Sequence, residues 1–280
     1  MNPYFRLMRL DKPIGIYLLL WPTLWALFLA AQGLPRFDLL LIFVLGVVLM
    51  RSAGCVINDY ADRNIDKLVE RTQHRPITSG EVSAKSALYL FVAMMVLAFL
   101  LVLMTNTLTI QLAFAAGALA TLYPFTKRWT HLPQFVLGLA FAMSVPMAFA
   151  ATLDDVPSGA WWVFLATALW TVIYDTMYAM ADREEDLKIG VKSTAVLFAK
   201  YDRVIIGVLQ IGLLVVFFKI SQIFDLGVFY DISIILSAFL MIYHQKMIKN
   251  REKQACFRAF LHNNFIGLII FLGIALSLAV

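Results

Sequence analysis

Apolar residues in this chain run in blocks far longer than a soluble core helix needs, separated by short polar stretches. Blocks near residues 13–31, 37–57, 84–105, 107–123, 133–152, 160–180, 203–220, 226–244 and 260–279 are each long enough to approach or exceed a hydrocarbon core of about 30 Å as a helix. The pattern predicts an all-α integral membrane protein with nine transmembrane helices in a single polytopic domain over 1–280. Two of the blocks end unusually. RSAGCVINDYADRNID, residues 51–66, closes the second block with a ladder of carboxylates, and DTMYAMADREED, residues 175–186, closes the sixth.

Helical periodicity sorts these ladders into faces. With Asn58 at zero and about 100° per residue, Arg51 falls at about 20°, Asp62 at about 40°, Asp66 at about 80° and Asp59 at about 100°. In the second stretch Asp175, Tyr178, Asp182 and Asp186 fall within an arc of roughly 80°. Glu184 and Glu185 point elsewhere and read as solvated. The spacings Asp62 to Asp182 and Tyr123 to Tyr243 are equal, which suggests two diverged four-helix halves with a ninth helix appended.

Composition and charge agree with the membrane reading. Hydrophobic residues make up 61% of the chain and charged residues 15%, far from a soluble balance. With the N-terminus inside, all but Arg36 and Lys219 of the 23 Lys and Arg residues fall on the cytoplasmic side, as the positive-inside rule requires of a correct set of spans. The C-terminus is then external. The net charge of +5 is a topological signal and gives no reason to invoke nucleic acid. Cys55 and Cys256 lack the spacing of a disulfide or zinc framework. The basic lead YFRLMRLDK reads as an interfacial anchor, with Asp11 and Lys12 before Pro13 as a helix start.

The carboxylates carry the chemistry. Asp62 with Asp66, and Asp182 with Asp186, are i,i+4 like-charge pairs that destabilise a helix, more so near a low-dielectric membrane, so a cation is expected between them. Hard oxygen ligands on two facing helices suit Mg²⁺, which takes a few carboxylates, several waters and phosphate oxygens. A hydrophobic bundle around such a site points to a lipid diphosphate. Arg51 follows an apolar run and shares the face of Asn58 and Asp62, which marks it as an anion contact rather than a snorkelling side chain. The loop after Asp66 carries Arg71 and Arg75, which could close over a phosphorylated ligand.

NDYADRNID and YDTMYAMADREED resemble the two Asp-rich motifs of the UbiA superfamily of intramembrane prenyltransferases. RLDKPIG, LYPFTKRWTHLPQ, SVPMAFAA and KIGVKSTA are similar to its 4-hydroxybenzoate polyprenyltransferase branch. The resemblance implies a nine-helix bundle around a central cavity, with Mg²⁺ held by Asn58, Asp62, Asp66, Asp182 and Asp186, and transfer of a polyprenyl group from polyprenyl diphosphate to the ring carbon ortho to the phenol of 4-hydroxybenzoate, in ubiquinone biosynthesis. On that reading the catalytic set is Asp62, Asp66, Asp182, Asp186 and Asp175. Arg51 takes the benzoate carboxylate; Lys67, Arg71, Arg75, Arg128 and Lys192 are candidates for diphosphate; Asp175 and Tyr178 shape the second motif. The implied location is a bacterial inner membrane, with no obligate protein partner. Two alternatives stand beside it: an aromatic prenyltransferase of another branch, and a cation-coupled secondary transporter, which would place its carboxylates nearer the midplane.

Overall fold

A computed structural model describes residues 2–68 and 72–279, with Leu68 as backbone only. Among the described residues every regular element is helical: α1 (Pro3–Leu7), α2 (Ile14–Ala31), α3 (Phe37–Asp62), α4 (Ala84–Val102), α5 (Thr107–Thr126), α6 (Pro133–Ala142), α7 (Ser144–Leu153), α8 (Ser158–Ile189), α9 (Thr194–Phe198), α10 (Asp202–Phe224), α11 (Val228–Met247) and α12 (Lys253–Ser277). Nine segments among these residues are long and apolar enough to cross a membrane, α6 with α7 and α9 with α10 each counting as one. The chain is a multi-pass membrane protein.

The predicted spans are present, and the structure moves their ends. Helix α3 runs on to Asp62 and α8 to Ile189, because Asn, Asp and Glu side chains that interrupt an apolar count still hold helical backbone when one face is packed. Helix α2 starts at Ile14 with Pro13 at its N-cap. The fifth span breaks at Met143 into α6 and α7; the ring of Pro146 cannot donate to the Ala142 carbonyl four residues back, so the turn before it opens. Side chains cap several polar-side and loop starts: Ser83 Oγ accepts from Ser86 N, Asn106 Oδ1 from Thr109 N and Ser193 Oγ from Val196 N. Gly190, at φ 72, ends α8 in the left-handed region that favours glycine.

Helix α8 is the axis of the bundle. In its membrane window 67% of residues are buried, against 17% for α4 and 11% for α5, which places α4 and α5 at the rim. The core beside α8 is aromatic: Trp170 lies 5.3 Å from Trp25 and 5.3 Å from Tyr174 between ring centroids, and Trp25 Nε1 donates to the Gly267 carbonyl at 3.0 Å. A side chain at Gly267 would overlap the rings of Trp21 and Trp170, so α12 can approach here only because the position is bare.

Outside this core two ionic staples fix the acidic end of the bundle. Asp202 is fully buried and accepts from Arg251 Nε at 3.0 and 2.9 Å, from Arg251 Nη2 at 2.7 Å and from Arg183 Nη1 at 3.4 Å. That ties the end of α8 to α10 and to the loop before α12. Arg251 in that loop has a raised pKa, first because it hydrogen-bonds Asp202. The N-terminal lead docks rather than floats: Leu7 of α1 is fully buried in a cluster with Ala53 and Val56, and Arg9 reaches Asp59.

Candidate active site

Helices α3 and α8 bring their acidic ends to one polar cavity of about 170 Å³, lined by Asn58, Asp62, Asp66, Asp175, Tyr178, Asp182 and Asp186. The two faces computed from the sequence therefore meet. The route to Asp66 differs from the helical wheel, however. Helix α3 stops at Asp62, and Asp66 arrives through a one-turn 3-10 helix, Asp66–Leu68. Thr72 Oγ1 donates to its carbonyl at 3.0 Å, which holds Thr72 in the wall of the cavity.

The basic residues sort less simply. Arg75 lines the cavity and its Nη1 donates to Asp66 Oδ2 at 2.9 Å and to Asp59 Oδ1 at 3.0 Å. Burial pushes the Asp66 carboxyl up to about 6 although Arg75 pulls the other way; the neighbouring carboxylates leave Arg75 above its ordinary value against the cost of its own burial. Lys192 lines the wall, with Nζ on the Trp129 carbonyl at 3.2 Å. Lys67 is exposed and Arg128 is turned away, donating to the Ala61 carbonyl at 2.6 Å over the Phe125 ring; neither is among the residues lining the cavity. Arg71 lies outside the described residues. Lys127, next to Arg128, is the cation that enters: it lines the cavity and pairs with Asp62. Glu185, expected in solvent, lines the wall and pairs with Lys253, whereas Glu184 is exposed as expected.

The polar cavity adjoins a second, larger one of about 390 Å³, and Asn58, Arg75, Tyr123, Asp175 and Tyr178 line both. Among the described residues Asp175 is the single carboxylate common to the two. The larger cavity runs the length of the bundle, from Asn58 and Arg51 to Thr105 and Thr109 at the α4–α5 connection. Its walls are mostly apolar away from the charged residues at the Asn58 end, and Ala113, Ala116, Gly117 and Ala120 keep the α5 side open. Arg51 sits in this wall with Nη1 on Cys55 Sγ at 3.1 Å. Sequence spacing placed Asp59 on the acidic face and Arg9 in the interfacial lead without joining them, and gave Lys127 no role in the site. Asp59 is buried and accepts from Arg9 Nη2 at 3.1 and 3.0 Å, an ion pair across 50 residues that no local pattern signals.

The UbiA prenyltransferase family model matches residues 19–269. The chain belongs to the UbiA prenyltransferase family. It is 71% identical to the 4-hydroxybenzoate octaprenyltransferase of Vesicomyosocius okutanii, covering 96% of this chain and 99% of that protein. The protein of the same name from Vibrio parahaemolyticus is 54% identical, covering 98% and 96%. Among solved structures, an apo UbiA homolog from Aeropyrum pernix superposes with a TM-score of 0.82 at 26% identity, covering 93% of this chain and 97% of that one. A UbiA homolog from Archaeoglobus fulgidus bound to GPP and Mg²⁺ superposes with a TM-score of 0.75 at 16% identity, covering 99% and 100%, and shares the fold.

The residues present fit a divalent cation in the polar cavity. Asp62 Oδ1 is buried and accepts no hydrogen bond among the described residues, an orphaned acceptor that costs free energy unless a cation or donor meets it. The donor set is hard oxygen. Among the described residues no three acidic, His or Cys side chains converge on one point; the carboxylates stand around the cavity with Lys127 and Arg75 balancing the first cluster. That suits a metal that takes much of its coordination from water and phosphate.

Proposed function

We propose that the chain transfers a polyprenyl group from polyprenyl diphosphate to the 3-position of 4-hydroxybenzoate, with Mg²⁺, and releases diphosphate. The observation that carries this reading is the junction of the two cavities, polar and acidic on one side, long and apolar on the other. Such a pair accepts the two ends of a prenyl diphosphate, with the reacting carbon at the neck. The names of the relatives and the ligands of the Archaeoglobus homolog support the same substrates.

On this proposal Asn58, Asp62, Asp66, Asp182 and Asp186 hold the metal, which when bound supplies Lewis-acid stabilisation of the leaving diphosphate. Arg75, Lys127 and Lys192 add charge to the same oxygens. The C–O bond breaks with its electron pair going to diphosphate, and the allylic carbon lies beside Tyr178 and Tyr123, whose ring faces favour positive charge. Arg51 grips the benzoate carboxylate as a planar fork and turns the electron-rich ring toward that carbon. The ring carbon bonds to it, and Asp175, at the neck, accepts the displaced ring proton. The apolar walls keep water from the cation. The whole of 1–280 acts as one domain in a bacterial inner membrane, N-terminus and polar cavity on the cytoplasmic side and C-terminus external, a membrane step of ubiquinone biosynthesis.

The test uses the purified chain in vesicles with radiolabelled 4-hydroxybenzoate and polyprenyl diphosphate. Label should pass into a ring-prenylated, organic-extractable product when both substrates and Mg²⁺ are present, and EDTA should stop it. Uptake of unmodified label into the lumen, without product, would overturn the reading in favour of transport.

A further inference from the structure

Gly15 is the second residue of α2 and is buried. Its φ lies outside the left-handed region, which among the described glycines is occupied by Gly33, Gly80 and Gly190. The backbone would thus accept any L residue, and inside a helix alanine is favoured over glycine. What glycine provides here is space. A methyl group at this position would overlap Nε, Cζ and Nη2 of Arg51, so the guanidinium of α3 lies directly on the backbone of α2.

The other neighbours of that cation are soft. Nη1 donates to Cys55 Sγ at 3.1 Å, and Cζ stands 6.0 Å from the centre of the Phe141 ring. Among the described residues the buried Nε has no hydrogen-bond partner and Arg51 makes no ion pair. Gly15, Arg51, Cys55 and Phe141 all line the larger cavity. The head is therefore fixed on three sides by groups that do not pair with it, and although Asp175 acts on it electrostatically, no carboxylate among the described residues meets it directly, so a ligand carboxylate can.

We infer that Gly15 is a specificity-determining position for the acceptor, acting through Arg51. The bare backbone of α2 is the floor on which the guanidinium lies, and it sets the depth at which a planar carboxylate meets the cation. A side chain at residue 15 pushes the head into the space that the aromatic ring needs. Gly15 is a positioning residue, and its role rests on the reading of Arg51 as the carboxylate contact.

The experiment compares Gly15→Ala with the parent chain in vesicles, using 4-hydroxybenzoate and polyprenyl diphosphate, and follows thermal unfolding in parallel. The KM for 4-hydroxybenzoate should rise about tenfold or more, since small misplacements of a binding group are costly. The KM for the diphosphate should stay within about twofold, and the melting temperature should hold or rise because alanine favours the helix. In an Arg51→Lys background the same substitution should add little, since residues in contact act non-additively. An unchanged acceptor KM, a parallel rise for both substrates, or a full effect in the Arg51→Lys background would each overturn the inference. Failure of the underlying reading looks different: Arg51→Leu would then leave the acceptor KM unchanged, whereas an Arg51→Leu effect without a Gly15→Ala effect removes the seat alone.

Discussion

Asp62→Ala is expected to lower prenyl transfer by on the order of 10³-fold, the size of effect that follows loss of one group stabilising a developing negative charge. Asp62 closes α3, is 3% exposed, and carries both the Lys127 ion pair and an unpartnered Oδ1. Its removal takes a metal ligand and leaves Lys127 without its carboxylate. Asp182→Ala, on α8, should produce a defect of the same kind, with loss of Mg²⁺-dependent diphosphate binding in both variants. This parallel matters more than either loss, because the two residues come from separate halves of the chain. Asp38→Ala, at the other end of α3 where the carboxylate pairs with exposed Arg36, should leave turnover intact. Steady-state kinetics with diphosphate binding measured by calorimetry checks all three; a Asp182→Ala protein that binds Mg²⁺ and diphosphate normally would separate the helices.

Arg51→Leu is expected to raise the KM for 4-hydroxybenzoate roughly 10²-fold, the equivalent of about 3 kcal/mol for an unpaired buried partner, while the KM for the prenyl donor changes little. The asymmetry follows from chemistry and placement together: Arg51 is absent from the walls of the polar cavity that takes the diphosphate, and the prenyl chain sharing the larger cavity offers the guanidinium no anion. The fold should not suffer. An intramembrane arginine without an ion pair costs free energy in the unliganded protein, so leucine should hold or raise the melting temperature in detergent. Kinetics with each substrate varied in turn, together with a thermal melt, checks this; equal effects on both KM values would remove Arg51 from the carboxylate.

Much of this arrangement was legible in the pattern of residues. Apolar length placed the spans, and the 100° wheel placed Asn58 and Asp62 on one face and Asp175, Tyr178, Asp182 and Asp186 on another, because both stretches are helical in fact. The wheel reached Asp66 for a different reason, since the helix had ended and a turn carried it to the same cavity. What periodicity does not contain is direction across the fold. Lys127 and Arg128 are adjacent, and only packing of the α5–α6 turn against α3 decides that the lysine enters and the arginine grips Ala61. Arg9 on Asp59 and Lys253 beside Glu185 likewise join residues far apart in sequence. A basic lead that reads as an interfacial anchor thereby becomes part of the wall. The seat of Arg51 on Gly15 belongs to the same class, a contact made by an absent side chain.

The claim at the centre of this account is that the ends of α3 and α8 form one metal and diphosphate site. Mn²⁺ takes the same hard oxygen donors as Mg²⁺ and scatters anomalously. Crystals grown with Mn²⁺ and an unreactive prenyl thiodiphosphate should show anomalous density between Asp62 and Asp66 on one side and Asp182 and Asp186 on the other, with the prenyl chain in the larger cavity. Density at a single helix end, or none at either with the thiodiphosphate bound elsewhere, would contradict it.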